Sequence, residues 1–333
     1  MINLNENLLF GAFENNLQDV VTALKCRADI NAQTEAGWTA LMFAACNGNI
    51  EIARMLIQSG AEVNSLKPYS DTALMIACGK KNPEMVKLLL EAGADVNEVN
   101  SSGFNALIFA TIASKGDDYI NQLLNIIGFS KKTSDKNQDE MPKLEAKLEL
   151  SEWEEQEIYN NKVYKEIVYL LLSYKANLES RDIAEWTALM HAVVTGTVFQ
   201  VELLIEFGAD INTTACGLTP LMLACQNKDF DKVIALLEAG AKINVQDSRG
   251  NTALFHIIKN RFFNFFYDYP MINLLIKHGA DIEIKDNEDK TAFVYLFRIE
   301  RVDNLVLTDS EINALLQSIK TPNKTDNDKK HER

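Results

Sequence analysis

The sequence is poor in the residues with which proteins usually do chemistry or staple themselves together. It has four histidines, five cysteines, six prolines and 15 glycines in 333 residues. His191, His256, His278 and His331 are scattered, and no C-x-x-C or H-E-x-x-H spacing occurs, so no zinc site is spelled out. There is no Gly-rich phosphate loop, and the many carboxylates never recur at a set distance from a nucleophile or base. A non-catalytic chain without metal or cofactor is therefore expected. An odd number of cysteines (Cys26, Cys46, Cys78, Cys216, Cys225) gives no paired disulfide framework and points to a reducing, cytoplasmic setting. No run of about 18 apolar residues exists to cross a bilayer. The start, Met1 to Glu6, lacks the basic segment of a cleaved signal peptide, which leaves only export by another route. Positive charge is also short: 33 Lys and Arg stand against 47 Asp and Glu, a net charge of −14. That balance argues against sequence-independent nucleic-acid binding and against anionic membranes.

What is abundant is repetition. Thr39-Ala40-Leu41-Met42, Thr72-Ala73-Leu74-Met75 and Thr187-Ala188-Leu189-Met190 share one phrase, with variants beginning at Asn105, Thr219, Thr252 and Thr291. The step is 33 residues from Thr39 to Thr72, 33 again to Asn105, 32 from Thr187 to Thr219 and 33 to Thr252. A second phrase follows most copies: Gly60-Ala61-Glu62-Val63-Asn64, Gly93-Ala94-Asp95-Val96-Asn97, Gly208-Ala209-Asp210-Ile211-Asn212, Gly240-Ala241-Lys242-Ile243-Asn244 and Gly279-Ala280-Asp281-Ile282-Glu283. Self-similarity at this period marks an array whose units bury their apolar faces against one another. Thr at the head of each phrase is a helix N-cap, and Gly at its end favours the left-handed turn that stops a helix.

These two phrases resemble the ankyrin repeat signature, from about residue 5 to residue 320. The resemblance implies an all-α solenoid of helix-turn-helix units joined by β-hairpin loops, about eight including caps. It also implies a scaffold that binds a partner protein on a concave surface of hairpin tips and first helices. One departure stands out. Where the family usually has His, this chain has Met42, Met75, Ile108, Met190, Met222, Phe255 and Val294, while His191 and His256 fall one place later. Weaker hairpin ties, with apolar packing in their place, are the expectation.

Along the chain, residues 1–33 read as an N-terminal cap and 34–99 as regular repeats. Residues 100–179 read as a repeat interrupted near 114–162: Gly93 to Lys175 is 82 residues, an excess of 49 over the period. Residues 180–283 read as further repeats, the last with a short aromatic insertion near 262–269. A C-terminal cap spans 284–320, and a polar tail covers 321–333.

The repeat phase places candidate contacts. Hairpin and first-helix positions carry Trp38, Tyr69, Lys80, Phe104, Ile112, Ile183, Trp186, Val194 and Arg249. Exposed aromatics at such places would be binding anchors; the plainer alternative is that their rings strengthen the stack. A secondary patch, Phe262, Phe263, Phe265, Phe266 and Tyr267, lies at the turn between two helices. The acidic stretch around Trp153 reads as a solvated helix face. The expected partner is therefore a protein, met by a monomer, with no nucleic acid and no membrane. A secreted effector or inhibitor using the same array is the alternative; an enzyme with a cryptic site in the insertion is a remote second.

Overall fold

The computed structural model describes residues 3–65, 71–112, 152–260, 265–292 and 294–295. The chain divides into two compact bodies, Met1–Ala209 and Asp210–Arg333. The first contains helices α1 (Leu4–Phe13), α2 (Leu17–Lys25), α3 (Ala40–Asn47), α4 (Ile50–Gln58), α5 (Ala73–Gly79), α6 (Pro83–Glu91), α7 (Ala106–Ile112), α8 (Glu152–Ser173), α9 (Ala188–Thr195) and α10 (Val198–Glu206). The second contains α11 (Pro220–Asn227), α12 (Phe230–Glu238), α13 (Ala253–Ile258) and α14 (Phe265–Lys277). Among the described residues there is no sheet, only isolated antiparallel bridges such as Gln33 to Thr39 and Lys285 to Thr291. The fold is an all-α ankyrin-type solenoid.

Within the first body, α1, α3, α5, α7 and α9 touch in succession, and so do α2, α4, α6, α8 and α10. Their sequences explain the two layers. Ala40 to Ala45 are all buried in α3, because a first helix is flanked on both sides and backed by its partner. The second helices are one-sided: Ile52, Ala53 and Leu56 of α4 are buried while Glu51 and Arg54 face solvent. Each fully buried Leu, Met or Phe contributes roughly 1.5–3 kcal/mol.

The Thr phrase does what its chemistry dictates. The hydroxyls of Thr39, Thr72 and Thr219 accept the N–H of Met42, Met75 and Met222, each at 3.2 Å. Asn105 makes the same cap, its Oδ1 accepting from Ile108 at 2.9 Å. Thr252 is the exception and makes no side-chain cap bond. The methionines return a contact: the N–H groups of Thr39, Thr72 and Thr219 point at Sδ of Met42, Met75 and Met222, at 3.5, 3.4 and 3.4 Å. The second residue past each second helix is left-handed, as at Gly93 (φ 87°), and also where Arg27 (φ 65°) and Lys175 (φ 66°) replace glycine.

The last letter of the Gly-Ala phrase stitches neighbours together. Asn31 Oδ1 accepts the Glu62 N–H (2.9 Å), Asn64 that of Asp95 (2.8 Å) and Asn97 that of Asn177 (2.8 Å). In the second body Asn212 accepts from Lys242 (2.7 Å) and Asn244 from Asp281 (2.9 Å). Several of these amides also donate onward, Asn64 to the Gly93 carbonyl and Asn97 to that of Lys175.

Most of the interruption near 114–162 lies outside the described residues. From Glu152, however, α8 runs unbroken for 22 residues to Ser173, so the end of the interruption is continuous with the repeat's own second helix. Among its described side chains the buried ones lie in the later part, with Val163, Tyr164, Ile167, Val168 and Leu171. The expected C-terminal cap is described only through its first hairpin and the start of a helix, and the tail 321–333 lies outside the described residues.

Candidate functional site

One five-residue turn, repeated, forms the hairpin tips. In the first body Asp182 heads a copy: its N–H donates to the Trp186 carbonyl (3.1 Å), and its Oδ1 accepts from Ala184 (2.9 Å) and Trp186 (2.8 Å). Asn100 does the same for Ser102 and Phe104, at 2.9 and 3.0 Å. Asp247 and Asp286 head equivalent turns in the second body. A short polar side chain is needed there because it satisfies two backbone donors that the tight turn leaves open. Adjacent tips are joined directly, Ile183 N–H to Ser102 O at 3.1 Å.

The expectation of weak hairpin ties is corrected at three of these four heads. After Asp182, Asp247 and Asp286 the residue nine places on reaches back to the head, whereas after Asn100 that place holds apolar Phe109. His191 Nε2 lies 2.9 Å from Asp182 Oδ2, His256 Nε2 3.1 Å from Asp247 Oδ2, and the Tyr295 hydroxyl 2.6 Å from Asp286 Oδ2. The histidines displaced by one position therefore hold the hairpins to the first helices. Burial works to raise the Asp286 carboxyl, but bonds from Lys259, Tyr295 and two backbone N–H groups outweigh it and hold it well below the usual carboxylate range. Lys259 Nζ, 2.6 Å from Asp286, also lies 4.2 Å from the centre of the Tyr295 ring.

The sequence-derived contacts part company in the structure. Trp38 is only 5% exposed and packs against Phe43 with ring centres 5.0 Å apart. It is a stacking residue, and the expectation of a surface anchor there is corrected: the facing Phe43 gives the indole an apolar partner that draws it inward. Phe104 and Trp186 are half-buried, and both rings lean on His191, at 5.5 and 5.3 Å between centres. Ile183, at the tip beside them, is 77% exposed. Ile112 and Val194 are half-buried near the ends of α7 and α9, and Lys80 is half-buried at the end of α5. Arg249 is exposed on a tip of the second body. Tyr69, Phe262 and Phe263 lie outside the described residues; Phe265 and Phe266 are placed only as backbone of α14, and Tyr267 is 85% exposed. Sequence reasoning missed the turn heads Asn100, Asp182, Asp247 and Asp286 as structural residues; their signal was their recurrence five places before Thr or Asn.

Among the described residues, no cluster of His, Cys, Asp and Glu is fit to hold a metal ion, and no helix is long and apolar enough to cross a membrane. No disulfide joins the five cysteines, and burial pushes the Cys78 and Cys225 thiols far up.

Comparison with known proteins agrees with this geometry. The chain resembles human Ankyrin repeat and SOCS box protein 6, 33% identical over 128 residues, covering 37% of this chain and 30% of that protein. It is 33% identical to human Rabankyrin-5 over 139 residues, 38% of this chain and 12% of the other. It is 36% identical to the mouse B-cell lymphoma 3 protein homolog over 121 residues, 36% and 26% of the two chains. The matched stretches thus span less than a third of each of these relatives. Among solved structures, the ankyrin repeat domain of Bcl-3 superimposes with a TM-score of 0.57 at 24% identity, covering 78% of this chain and 95% of that one. The human ASB11 ankyrin repeat domain gives 0.54 at 20% identity, covering 74% and 89%. The family model described as ankyrin repeats (3 copies) matches residues 8–100, 60–135 and 157–247, well over half the sequence, and the chain belongs to the ankyrin repeat family.

Proposed function

We propose that this protein binds a partner protein without catalysis, through the hairpin tips and first-helix ends of its first body. Ankyrin repeats are in general protein–protein interaction modules, and their fold is typically a non-catalytic scaffold. The observation that carries the reading is the patch at the tips headed by Asn100 and Asp182. Ile183 is 77% exposed there beside the half-buried rings of Phe104 and Trp186. Those rings rest on His191, which is itself tied to Asp182, so the patch is held in shape before any partner arrives. A surface fixed in advance loses little conformational freedom on docking, which favours affinity. Ile112 and Val194 extend the apolar character onto the helices. Cysteines that form no disulfide fit work in a reducing compartment.

The test is affinity capture with wild type, Ile183→Asp and Trp186→Ala, with helicity followed by circular dichroism. Loss of one specific partner by both variants at unchanged helicity is the expected result. Retention of every partner by both variants would remove this patch as the contact surface.

A further inference from the structure

The second body has its own open groove, of about 860 Å³, between the tip headed by Asp247 and the helices α11 and α13. Its walls include Cys216, Gln226, Asn227, Arg249, His256 and Lys259. The charges in these walls are not equivalent. Asp247 is the one carboxylate among the lining residues, and its oxygens are occupied: Oδ1 accepts the N–H of Arg249 and Asn251, both at 2.8 Å, and Oδ2 accepts the Asn251 amide at 3.1 Å and meets His256 Nε2 at 3.1 Å. Burial works to raise that carboxyl, and these bonds outweigh it, so it stays an internal anion. Lys259 is likewise committed, 2.6 Å from Asp286 and 2.7 Å from Asn251 Oδ1. Burial depresses the His256 imidazole, so it adds no positive charge at neutral pH.

Arg249 is different. Its backbone is fixed, its N–H on Asp247 and its carbonyl accepting the Asn287 N–H at 3.0 Å, yet its exposed guanidinium makes no hydrogen bond or ion pair among the described residues. The exposed side-chain amides of Gln226 and Asn227, at the end of α11, are likewise unengaged among the described residues. The groove thus offers uncommitted donors and no uncommitted carboxylate. A basic ligand would find only neutral amide oxygens and no open carboxylate, whereas a carboxylate would find a planar guanidinium suited to two parallel bonds.

We infer that this groove takes an extended peptide segment of a partner protein bearing an aspartate or glutamate, whose carboxylate pairs with Arg249 while Gln226 and Asn227 hold its backbone. The inference rests on the reading of the protein as a binding array and adds the chemistry of what one part of it takes. The net charge of −14 works against strongly acidic chains at long range, so a segment with few carboxylates suits the site better than a polyacidic run.

The experiment titrates the full-length, ¹⁵N-labelled protein with acetylated, amidated decapeptides identical except for a central Glu, Gln or Lys, and follows the backbone resonances of Ser248, Arg249, Gln226 and Asn227. The Glu peptide is expected to shift these resonances saturably. The Gln peptide should bind about ten-fold more weakly, the usual scale for losing one charge-assisted bond, and the Lys peptide more weakly still. Arg249→Gln should abolish the preference for Glu over Gln, while Arg249→Lys keeps part of it. Unchanged resonances for α12 and α14, in the same body as Arg249, show that the variants fold. Equal binding of the Glu and Gln peptides, a preference that survives Arg249→Gln, or no shift with the Glu peptide would each overturn the inference. None of these outcomes touches the patch around Ile183, whose variants are scored separately by partner capture.

Discussion

Asp71 stands where neighbouring repeats carry Trp38, Phe104 and Trp186, immediately before the capping threonine. It is 5% exposed, and its Oδ1 accepts the Asn100 Nδ2 amide at 2.7 Å. Burial raises its pKa from 3.8 to about 6, with the Asn100 bond only partly opposing. The energetic consequence follows from linkage. Between about pH 4 and 6 the folded form holds a proton that the unfolded chain has released, so folding takes up a proton and stability falls as pH rises through that window. Above it the cost levels off at about 3 kcal/mol, the price of ionising a buried carboxyl. Asp71→Asn removes the charge and keeps an oxygen to accept the Asn100 amide. It is expected to stabilise the protein by roughly 1–3 kcal/mol at pH 8, the lower figure allowing for an imperfectly placed new amide. At pH 4 the variant and the wild type should be nearly equal. Urea unfolding followed by circular dichroism at pH 4, 6 and 8 measures the difference, and taking wild type minus variant cancels the other titrating groups. A difference independent of pH, or a variant less stable than wild type at pH 8, would refute the reasoning.

Two further expectations concern the stack itself. Gly103 has φ +77°, and a Cβ there would lie 2.8 Å from Asp182 Cα in the next tip, whereas Gly60, at φ +94°, has nothing within 4 Å of its would-be Cβ. Gly60→Ala should therefore cost about 1–2 kcal/mol from left-handed strain alone, and Gly103→Ala clearly more; equal losses in urea titrations would contradict the close approach of the tips. Iodoacetamide at pH 8 should modify exposed Cys26 and Cys216 while sparing buried Cys78 and Cys225 until the chain unfolds, with peptide mass mapping as the readout.

The helical scaffold was legible because its determinants are local. A threonine caps the helix that follows it, and paired small residues such as Ala44 and Ala45 mark a helix packed on both sides, so period and phase place α3, α5, α9 and α11. The ties between repeats were less legible because each joins positions that the sequence only hints at. His191 was visible as a departure from the family pattern, but its use depended on how the Asp182 turn folds back over α9. Trp38 and Trp186 hold the same place in the phase, yet one is buried and the other half-exposed. The difference lies in the ring each faces, Phe43 in the first case and polar His191 in the second. Repeat phase gives position along the array; burial depends on the neighbour's side chain.

Asn64 reaches the Asp95 N–H across 31 residues of chain, and Asn97 makes the same bond to Asn177 across 80. The fastening is indifferent to how much polypeptide runs between the two partners, because it is made in space and loop closure costs grow only slowly with length. The stretch between α7 and α8 is thus a natural port for cargo. A reporter or a foreign domain spliced there would ride on the scaffold while the seam on either side stayed shut.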